Sequence, residues 1–181
     1  MPNMLFLSGA NGFTLSPQKE LQLDLKHART SNVIFADMDN DGDLDIFSAS
    51  HGSSSMKFQS VIWENRGGGQ FKDSTPTSGY WPNPMGLRNT AAYDINGDGL
   101  LDIIGCDGNY SNWKDGQGKL LVLINKGNFT FEDGSTAFGF PANGTVGMGL
   151  AVGDVNNDGR FDFFVADSNR LFVSDWNGKY R

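Results

Sequence analysis

The sequence predicts an all-β fold built from many short antiparallel strands, and three features of its 181 residues support this. Glycine is frequent, with 24 residues, while long apolar stripes with helical spacing are absent. Short apolar runs alternate with turn residues such as asparagine, aspartate and glycine. One acidic segment also recurs three times, which indicates that a single structural unit is repeated along the chain.

The acidic segment sets the spacing of the units. It occupies Asp37–Asp45 (loop 1), Asp94–Asp102 (loop 2) and Asp154–Asp162 (loop 3), so the copies begin 57 and 60 residues apart. Apolar residues flank every copy. Each loop is therefore expected to join two strands of a hairpin.

A second repeated phrase follows each loop and is expected to supply two further strands. It consists of an apolar run, an asparagine or serine, a turn rich in glycine and an aromatic residue. The copies are Val61–Phe71, Val122–Phe129 and the shorter Phe172–Tyr180, with Asn65 and Asn125 at equivalent positions, and Leu5–Phe13 resembles the phrase without an acidic loop before it.

Each unit is thus predicted to hold four antiparallel strands, which in the second unit are Thr90–Tyr93, Leu101–Cys106, Lys119–Asn125 and Phe129–Asp133. Units of about 60 residues favour β-propeller blades, with a coiled β-solenoid as the alternative. The chain is predicted to be one domain, residues 1–181, with a leading half-blade (1–16) and three full blades (31–75, 89–135 and 146–181). An open row of blades leaves exposed edges. We therefore expect a homo-oligomer, or a part of a larger chain, that closes a propeller ring.

The acidic loops have the oxygen-rich composition of a metal site. Positions 1, 3, 5 and 9 of the nine-residue pattern offer side-chain oxygens, position 7 offers a backbone carbonyl, and glycine at position 6 permits a sharp turn. Oxygen ligands without sulfur or imidazole favour a hard cation, and coordination by many oxygens favours Ca²⁺ over Mg²⁺. We predict up to three calcium sites, formed by Asp37, Asp39, Asp41, Asp43 and Asp45, by Asp94, Asn96, Asp98, Leu100 and Asp102, and by Asp154, Asn156, Asp158, Arg160 and Asp162.

The alternative for a single loop is an acidic surface turn whose aspartates only reverse the chain. Three copies in register favour metal sites instead, because grouped carboxylates repel one another unless a cation neutralises them. An EF-hand is excluded, since its twelfth position needs a glutamate and here holds Ser48, Gly105 or Val165. Loop 1 offers four side-chain carboxylates against three in each other loop. It is therefore predicted to bind calcium most tightly.

The three loops, the preceding phrase Gly147–Asp154 and the phrases around Asn65 and Asn125 resemble the FG-GAP/VCBS repeats. These are the calcium-loop blades of integrin α-chain propellers, fungal propeller lectins and many secreted bacterial proteins. The resemblance covers nearly the whole chain. It implies a β-propeller in which calcium stiffens the hairpins and other loops carry the function. It also implies an extracellular or cell-surface location, although the N-terminal residues do not look like a signal peptide.

Two long segments, Ser78–Arg88 and Asp107–Gly116, are expected on the face opposite the acidic loops. They hold aromatic rings among polar groups, an arrangement that sugar and peptide recognition uses. The alternative is that the rings only cover the core beneath them. The candidate ligand-binding residues are Tyr80, Trp81, Arg88, Tyr110, Asn112, Trp113 and Lys114.

These features favour a calcium-binding recognition or adhesion module for a glycan or protein ligand. A purely structural propeller scaffold is the alternative, and a carbohydrate-active enzyme is a weaker one. An enzyme is not expected, because the aspartates are assigned to calcium and no Ser/His/Asp set is visible. The net charge of -7 argues against nucleic acid as a partner. No apolar stretch reaches the length of a membrane span.

Overall fold

A computed structural model describes residues 4–17, 30–50, 60–76, 87–107, 118–145 and 147–181. These residues form β-strands and no helix, so the predicted all-β class is confirmed for the described chain. They contain no helix that is long and apolar enough to cross a membrane. The strands are β1 (Phe6–Gly9), β2 (Gly12–Leu15), β3 (Thr30–Ala36), β4 (Asp45–Ser50), β5 (Val61–Asn65), β6 (Phe71–Asp73), β7 (Leu87–Tyr93), β8 (Asp102–Asp107), β9 (Leu120–Asn125), β10 (Phe131–Asp133), β11 (Leu150–Gly153), β12 (Asp162–Val165) and β13 (Arg170–Phe172).

The strands form four antiparallel sheets that follow one another along the chain. β1 and β2 pair as a leading hairpin, β3–β6 form the first sheet, β7–β10 the second and β11–β13 the third. Within each sheet, neighbouring strands are consecutive in sequence, so every sheet is a meander. The third sheet has three strands and an isolated bridge between Ser174 and Tyr180. This bridge stands where β6 and β10 begin in the other two sheets.

The predicted start of the fourth strand in the second unit is wrong by two residues. Asn125 pairs with Phe131, as Asn65 pairs with Phe71, so Phe131 is the counterpart of Phe71. Phe129 lies in the preceding turn at φ 53°, where the first unit has Gly69 at φ 75°. A phenylalanine in this left-handed conformation is unusual. The side chain of Phe129 packs against the core between the first two sheets, which offsets the cost.

The second sheet lies between the first and the third. Alternate side chains of β9 enter different cores: Leu121 and Leu123 pack with the first sheet, whereas Val122 and Ile124 pack with the third. Because both faces of β9 are covered, the strand is apolar at successive positions rather than at alternate ones. Cys106 of β8 is fully buried in the core shared with the third sheet.

The first strands of neighbouring sheets lie side by side. The hydroxyl of Ser31 in β3 donates to the carbonyl of Leu87 in β7 at 2.8 Å. The hydroxyl of Thr90 in β7 donates to Oδ1 of Asn32 in β3 at 2.6 Å. β7 also contacts β11 of the third sheet. The strands that precede the acidic loops therefore form a row, while the later strands extend away from it.

Candidate metal sites

Each acidic loop connects the first two strands of its sheet and is closed by its first aspartate. In loop 2, Oδ1 of Asp94 accepts the amide of Asp98 at 3.1 Å and Oδ2 accepts the amide of Gly99 at 2.9 Å. Loops 1 and 3 repeat both bonds with distances of 2.8 to 3.1 Å. The first carboxylate therefore folds the loop back onto itself.

Two positions in every loop adopt left-handed backbone conformations. The sixth position holds a glycine, as predicted, and the fourth position was not identified from the sequence. Asparagine and glycine tolerate positive φ better than other residues. All three loops have one or the other at position 4, and this was the sequence signal for a left-handed conformation there. The angles are 64° at Asn40, 76° at Gly97 and 60° at Asn157, and 94° at Gly42, 88° at Gly99 and 83° at Gly159.

The ninth aspartate fastens each loop to its sheet. Asp102 is fully buried; its Oδ2 accepts the amide of Ile95 at 2.9 Å and its Oδ1 accepts the amide of Asn125 at 2.8 Å. These bonds join the second loop residue to the end of the third strand. Asp45 and Asp162 are equally buried and make the equivalent bonds, to Met38 and Asn65 and to Val155 and Ser174.

Burial of the carboxyl groups of Asp45 and Asp102 favours their protonated form when no cation is near. Burial raises the pKa of Asp102 to about 6, against the lowering effect of its two amide donors, and the carboxylates of Asp98 and Asp94 raise it further. Burial likewise raises the pKa of Asp45, with Asp39 and Asp41 adding to the effect. Asp45 and Asp102 are thus buried acidic groups, and neighbouring carboxylates make their ionisation less favourable.

Loop 1 fits a calcium ion by its geometry. Carboxylate oxygens of Asp37, Asp39 and Asp45 lie within 4.8 Å of one another. Two oxygens that bind the same calcium ion at about 2.3–2.6 Å are at most about 5 Å apart, so these three can share one ion. Oδ1 of Asp39 is buried and accepts no hydrogen bond from the residues that the structure describes. Burial, together with the charges of Asp41, Glu64 and Asp37, raises the pKa of Asp39.

Loops 2 and 3 replace this third-position carboxylate with an amide. Oδ1 of Asn96 accepts the amide of Asp98 at 2.9 Å, and its Nδ2 donates to Oδ2 of Asp98 at 2.9 Å. Asn156 and Asp158 of loop 3 repeat the arrangement. The donors to Asp98, first the amide of Leu100 and then Asn96, lower the pKa of this carboxyl. These loops retain three aspartates and an amide oxygen, a donor set that also suits calcium.

The end of the third strand contributes residues whose roles the sequence did not reveal. The side-chain amides of Asn65 and Asn125 donate to the carbonyls at position 8 of their own loops, Leu44 at 3.0 Å and Leu101 at 3.1 Å. Asn125 also donates to the buried carbonyl of Met38 in loop 1 at 2.7 Å. One residue of the second sheet therefore supports two neighbouring loops.

A short Asp-x-Ser/Thr motif follows the fourth strand in two sheets and was also missed. The hydroxyl of Ser135 accepts the amide of Val122 at 3.0 Å, and the carboxylate of Asp133 accepts the amide of Ser135 at 2.9 Å. Asp73 and Thr75 repeat both bonds in the first sheet, where Thr75 caps Ile62. The motif occurs twice at a spacing of 60 residues, which was the signal in the sequence.

The predicted ligand-binding residues fall mostly outside the described chain. Tyr80, Trp81, Tyr110, Asn112, Trp113 and Lys114 belong to segments that the structure does not describe. Arg88 is half-buried near the start of β7. The ends of both segments meet, because Leu87 pairs with Asp107 across β7 and β8. Loop 2 connects β7 and β8 at the opposite end of the same strand pair, where Tyr93 pairs with Asp102.

Comparison with protein-family models identifies the FG-GAP-like repeat in residues 37–105 and 110–165. The first segment contains loops 1 and 2, and the second contains loop 3. Together they span more than half of the 181 residues. A search of curated proteins found no match. Three copies of one acidic hairpin loop on a series of β-meanders carry the family match, and the chain belongs to the FG-GAP-like repeat family.

Proposed function

We propose that this protein is a calcium-binding recognition or adhesion module built as part of a β-propeller. The observation that carries the calcium assignment is the group of three converging carboxylates in loop 1, with its buried and unpartnered Asp39 oxygen. A bound ion would supply positive charge, and the loop would supply the oxygen ligands that surround it, so that the two strands of the hairpin are held together. Asp37, Asp39, Asp41 and Asp45 would hold it in loop 1, with the equivalent residues in loops 2 and 3.

The propeller assignment is supported by the way in which the sheets stack. β7 adjoins both β3 and β11, as an innermost strand adjoins those of the two neighbouring blades around a propeller axis. The residue before the leading hairpin, Leu5, packs against the cluster of Ile46, Val61 and Trp63 in the first sheet, and Phe71 of the outermost strand packs against the same cluster. The leading hairpin therefore corresponds to the third and fourth strands of a preceding blade.

Both ends of the stack expose apolar faces that are buried between sheets elsewhere. Phe47, Ile104 and Phe164 occupy equivalent positions, and their exposed fractions are 0%, 0% and 41%. At the other end, Val33 and Phe35 are exposed beside a cavity of about 260 Å³ next to the leading hairpin. In a closed propeller, the first and second strands of the preceding blade would cover Val33 and Phe35. We propose that a second copy, or further repeats of a longer chain, completes the ring.

Sedimentation velocity tests whether copies of this chain associate to complete the ring. A concentration-dependent dimer or larger species that Phe164→Asp converts to monomer would support closure by copies of this chain. A stable monomer with unchanged thermal stability in Phe164→Asp would exclude that mode of closure.

The ligand is proposed to be a glycan or a protein bound on the face opposite the calcium loops, outside the cell. Support comes from the pairing of Leu87 with Asp107, which are described residues at the edges of the two segments and lie at the end of the strand pair opposite loop 2. A purely structural scaffold is the second candidate. Trp81→Ala combined with Trp113→Ala distinguishes them in a glycan array and a pull-down with calcium present. Lost binding with an unchanged melting temperature supports recognition, whereas unchanged binding supports the scaffold.

Thermal unfolding after chelation tests the calcium proposal. Addition of Ca²⁺ at 100 times its dissociation constant is expected to raise the melting temperature by roughly 5 to 10 °C per filled site, and Mg²⁺ should do much less. A melting temperature that does not respond to Ca²⁺ would show that the loops are acidic turns only.

Asp39→Asn and Asp73→Asn are matched variants for this experiment. Asp39→Asn removes a carboxylate of loop 1 whose Oδ1 receives no hydrogen bond, so the calcium-free protein should fold and be at least as stable as wild type. The rise in melting temperature on addition of Ca²⁺ should be smaller for Asp39→Asn than for wild type. Asp73→Asn removes a comparable charge outside the loops and should leave the calcium response unchanged.

A further inference from the structure

Loop 3 carries a cation of its own at a position where the other loops have none. Position 7 is Asp43 in loop 1, Leu100 in loop 2 and Arg160 in loop 3. Loop 1 therefore holds five aspartates, loop 2 three, and loop 3 three aspartates and an arginine. The formal charge of the loop is least negative where the arginine stands.

The guanidinium of Arg160 is bound to the fifth-position carboxylate, a predicted metal ligand. Its Nη2 donates to Oδ2 of Asp158 at 2.9 Å. The same oxygen accepts Nδ2 of Asn156 at 3.0 Å and lies 3.5 Å from the hydroxyl of Ser174. Three donors thus surround Oδ2 of Asp158, whereas within the described residues the equivalent Oδ2 of Asp98 in loop 2 accepts a hydrogen bond from Asn96 alone.

The third sheet has further substitutions that accommodate the arginine. Ser174 stands where the other sheets have asparagine, and its Oγ accepts Nε of Arg160 at 3.2 Å. The position-8 carbonyl, which the asparagine binds in the other loops, here accepts the hydroxyl of Tyr180 at 3.0 Å. Tyr180 occupies the place of Phe71 and Phe131. Arginine, serine and tyrosine together replace the leucine, asparagine and phenylalanine of the second unit.

We propose that Arg160 is a built-in counter-ion that weakens calcium binding at loop 3, so that loops 1 and 2 fill first. This inference rests on the proposed calcium function of the loops. A divalent ion in loop 3 must displace the guanidinium from Asp158 or bind beside a positive charge. Either effect at a solvent-exposed site lowers the affinity roughly tenfold.

Calcium titration followed by ¹⁵N–¹H correlation spectra reports each loop separately. The amides of Gly42, Gly99 and Gly159 each donate to the first aspartate of their own loop and serve as local probes. In wild type, the Gly159 midpoint is expected at a calcium concentration roughly tenfold above that of Gly99. Arg160→Leu should lower the Gly159 midpoint roughly tenfold and leave Gly42 and Gly99 unchanged.

Leu100→Arg is the matched reciprocal variant, and it should raise the Gly99 midpoint without affecting Gly42. Arg160→Lys keeps the charge and should leave the Gly159 midpoint near its wild-type value. The proposal is overturned if Gly159 titrates with or before Gly99 in wild type, or if its midpoint is unchanged in a folded Arg160→Leu variant. The order of the Gly159 and Gly99 midpoints in wild type tests the proposal even if Arg160→Leu does not fold. If none of the three glycines responds to calcium, it is the proposed function that fails.

Discussion

The second and third sheets share the layout of their first three strands but differ in how their faces are covered. In the second sheet, Ile104 and Val122 are fully buried against the third sheet. In the third sheet, the equivalent Phe164 and Leu171 are 41% and 46% exposed. The strands are equally apolar at these positions. Burial in this repeat is therefore decided by the presence of a neighbouring sheet rather than by the strand itself.

The largest expected effect comes from the two adjacent phenylalanines of β12, which point to opposite faces. Phe163 is fully buried against the second sheet, so Phe163→Ala should lower the free energy of unfolding by about 3–5 kcal/mol. Phe164→Ala should lower it by less than about 1 kcal/mol in the monomer. Urea denaturation of both variants measures the difference. Equal losses would mean that the outer face is covered in solution.

A smaller difference is expected between the two asparagines at the ends of β5 and β9. Asn125→Ala leaves the buried carbonyl of Met38 without its donor and should cost about 2–3 kcal/mol. Asn65→Ala removes an exposed bond to Leu44 and should cost about 1 kcal/mol. Chemical denaturation in the presence of chelator measures these losses of stability without any contribution from altered calcium binding. A loss for Asn65→Ala as large as that for Asn125→Ala would contradict the role of Asn125 in joining two sheets.

The smallest effect concerns the Asp-x-Ser/Thr motif and depends on pH. Burial tends to raise the pKa of Asp133, but the hydroxyl and amide of Ser135 and the ammonium of Lys119 lower it below 3.8. A carboxyl whose pKa is lower in the folded state stabilises the protein above pH 3.8, and this contribution disappears as the pH falls through the folded pKa. Asp133→Asn should therefore cost about 0.5 kcal/mol at pH 7 and progressively less below pH 4.

Asp73→Asn is the control for this prediction, because Asp73 binds Thr75 in the same way but forms no ion pair in the described structure. Its cost at pH 7 should be smaller than that of Asp133→Asn. Urea denaturation at pH 7, 5 and 3 tests both variants. A cost for Asp133→Asn that does not change with pH would exclude the ion pair as its source.

The predictions from sequence were most successful where a pattern is local. The acidic loops connect the first and second strands, and every sheet is an antiparallel meander, because alternation of apolar residues and turn signals specifies both. The fourth strand of the second unit was misplaced. Spacing alone aligned Phe129 with Phe71, and only the pairing of Asn125 with Phe131 showed that Phe129 belongs to a left-handed turn.

The repeat, the loop pattern and the oxygen-rich chemistry of the loops were predictable from the order of residues alone. Each loop is a short continuous segment, and the repeat follows from the recurrence of that segment at spacings of 57 and 60 residues. The tertiary structure was needed to show that Asn125 supports loop 1 and that Phe164 is exposed while Ile104 is buried. Each of these depends on which sheet lies beside which. The arrangement of the sheets is fixed by contacts between residues far apart in the chain, which a local sequence pattern does not specify.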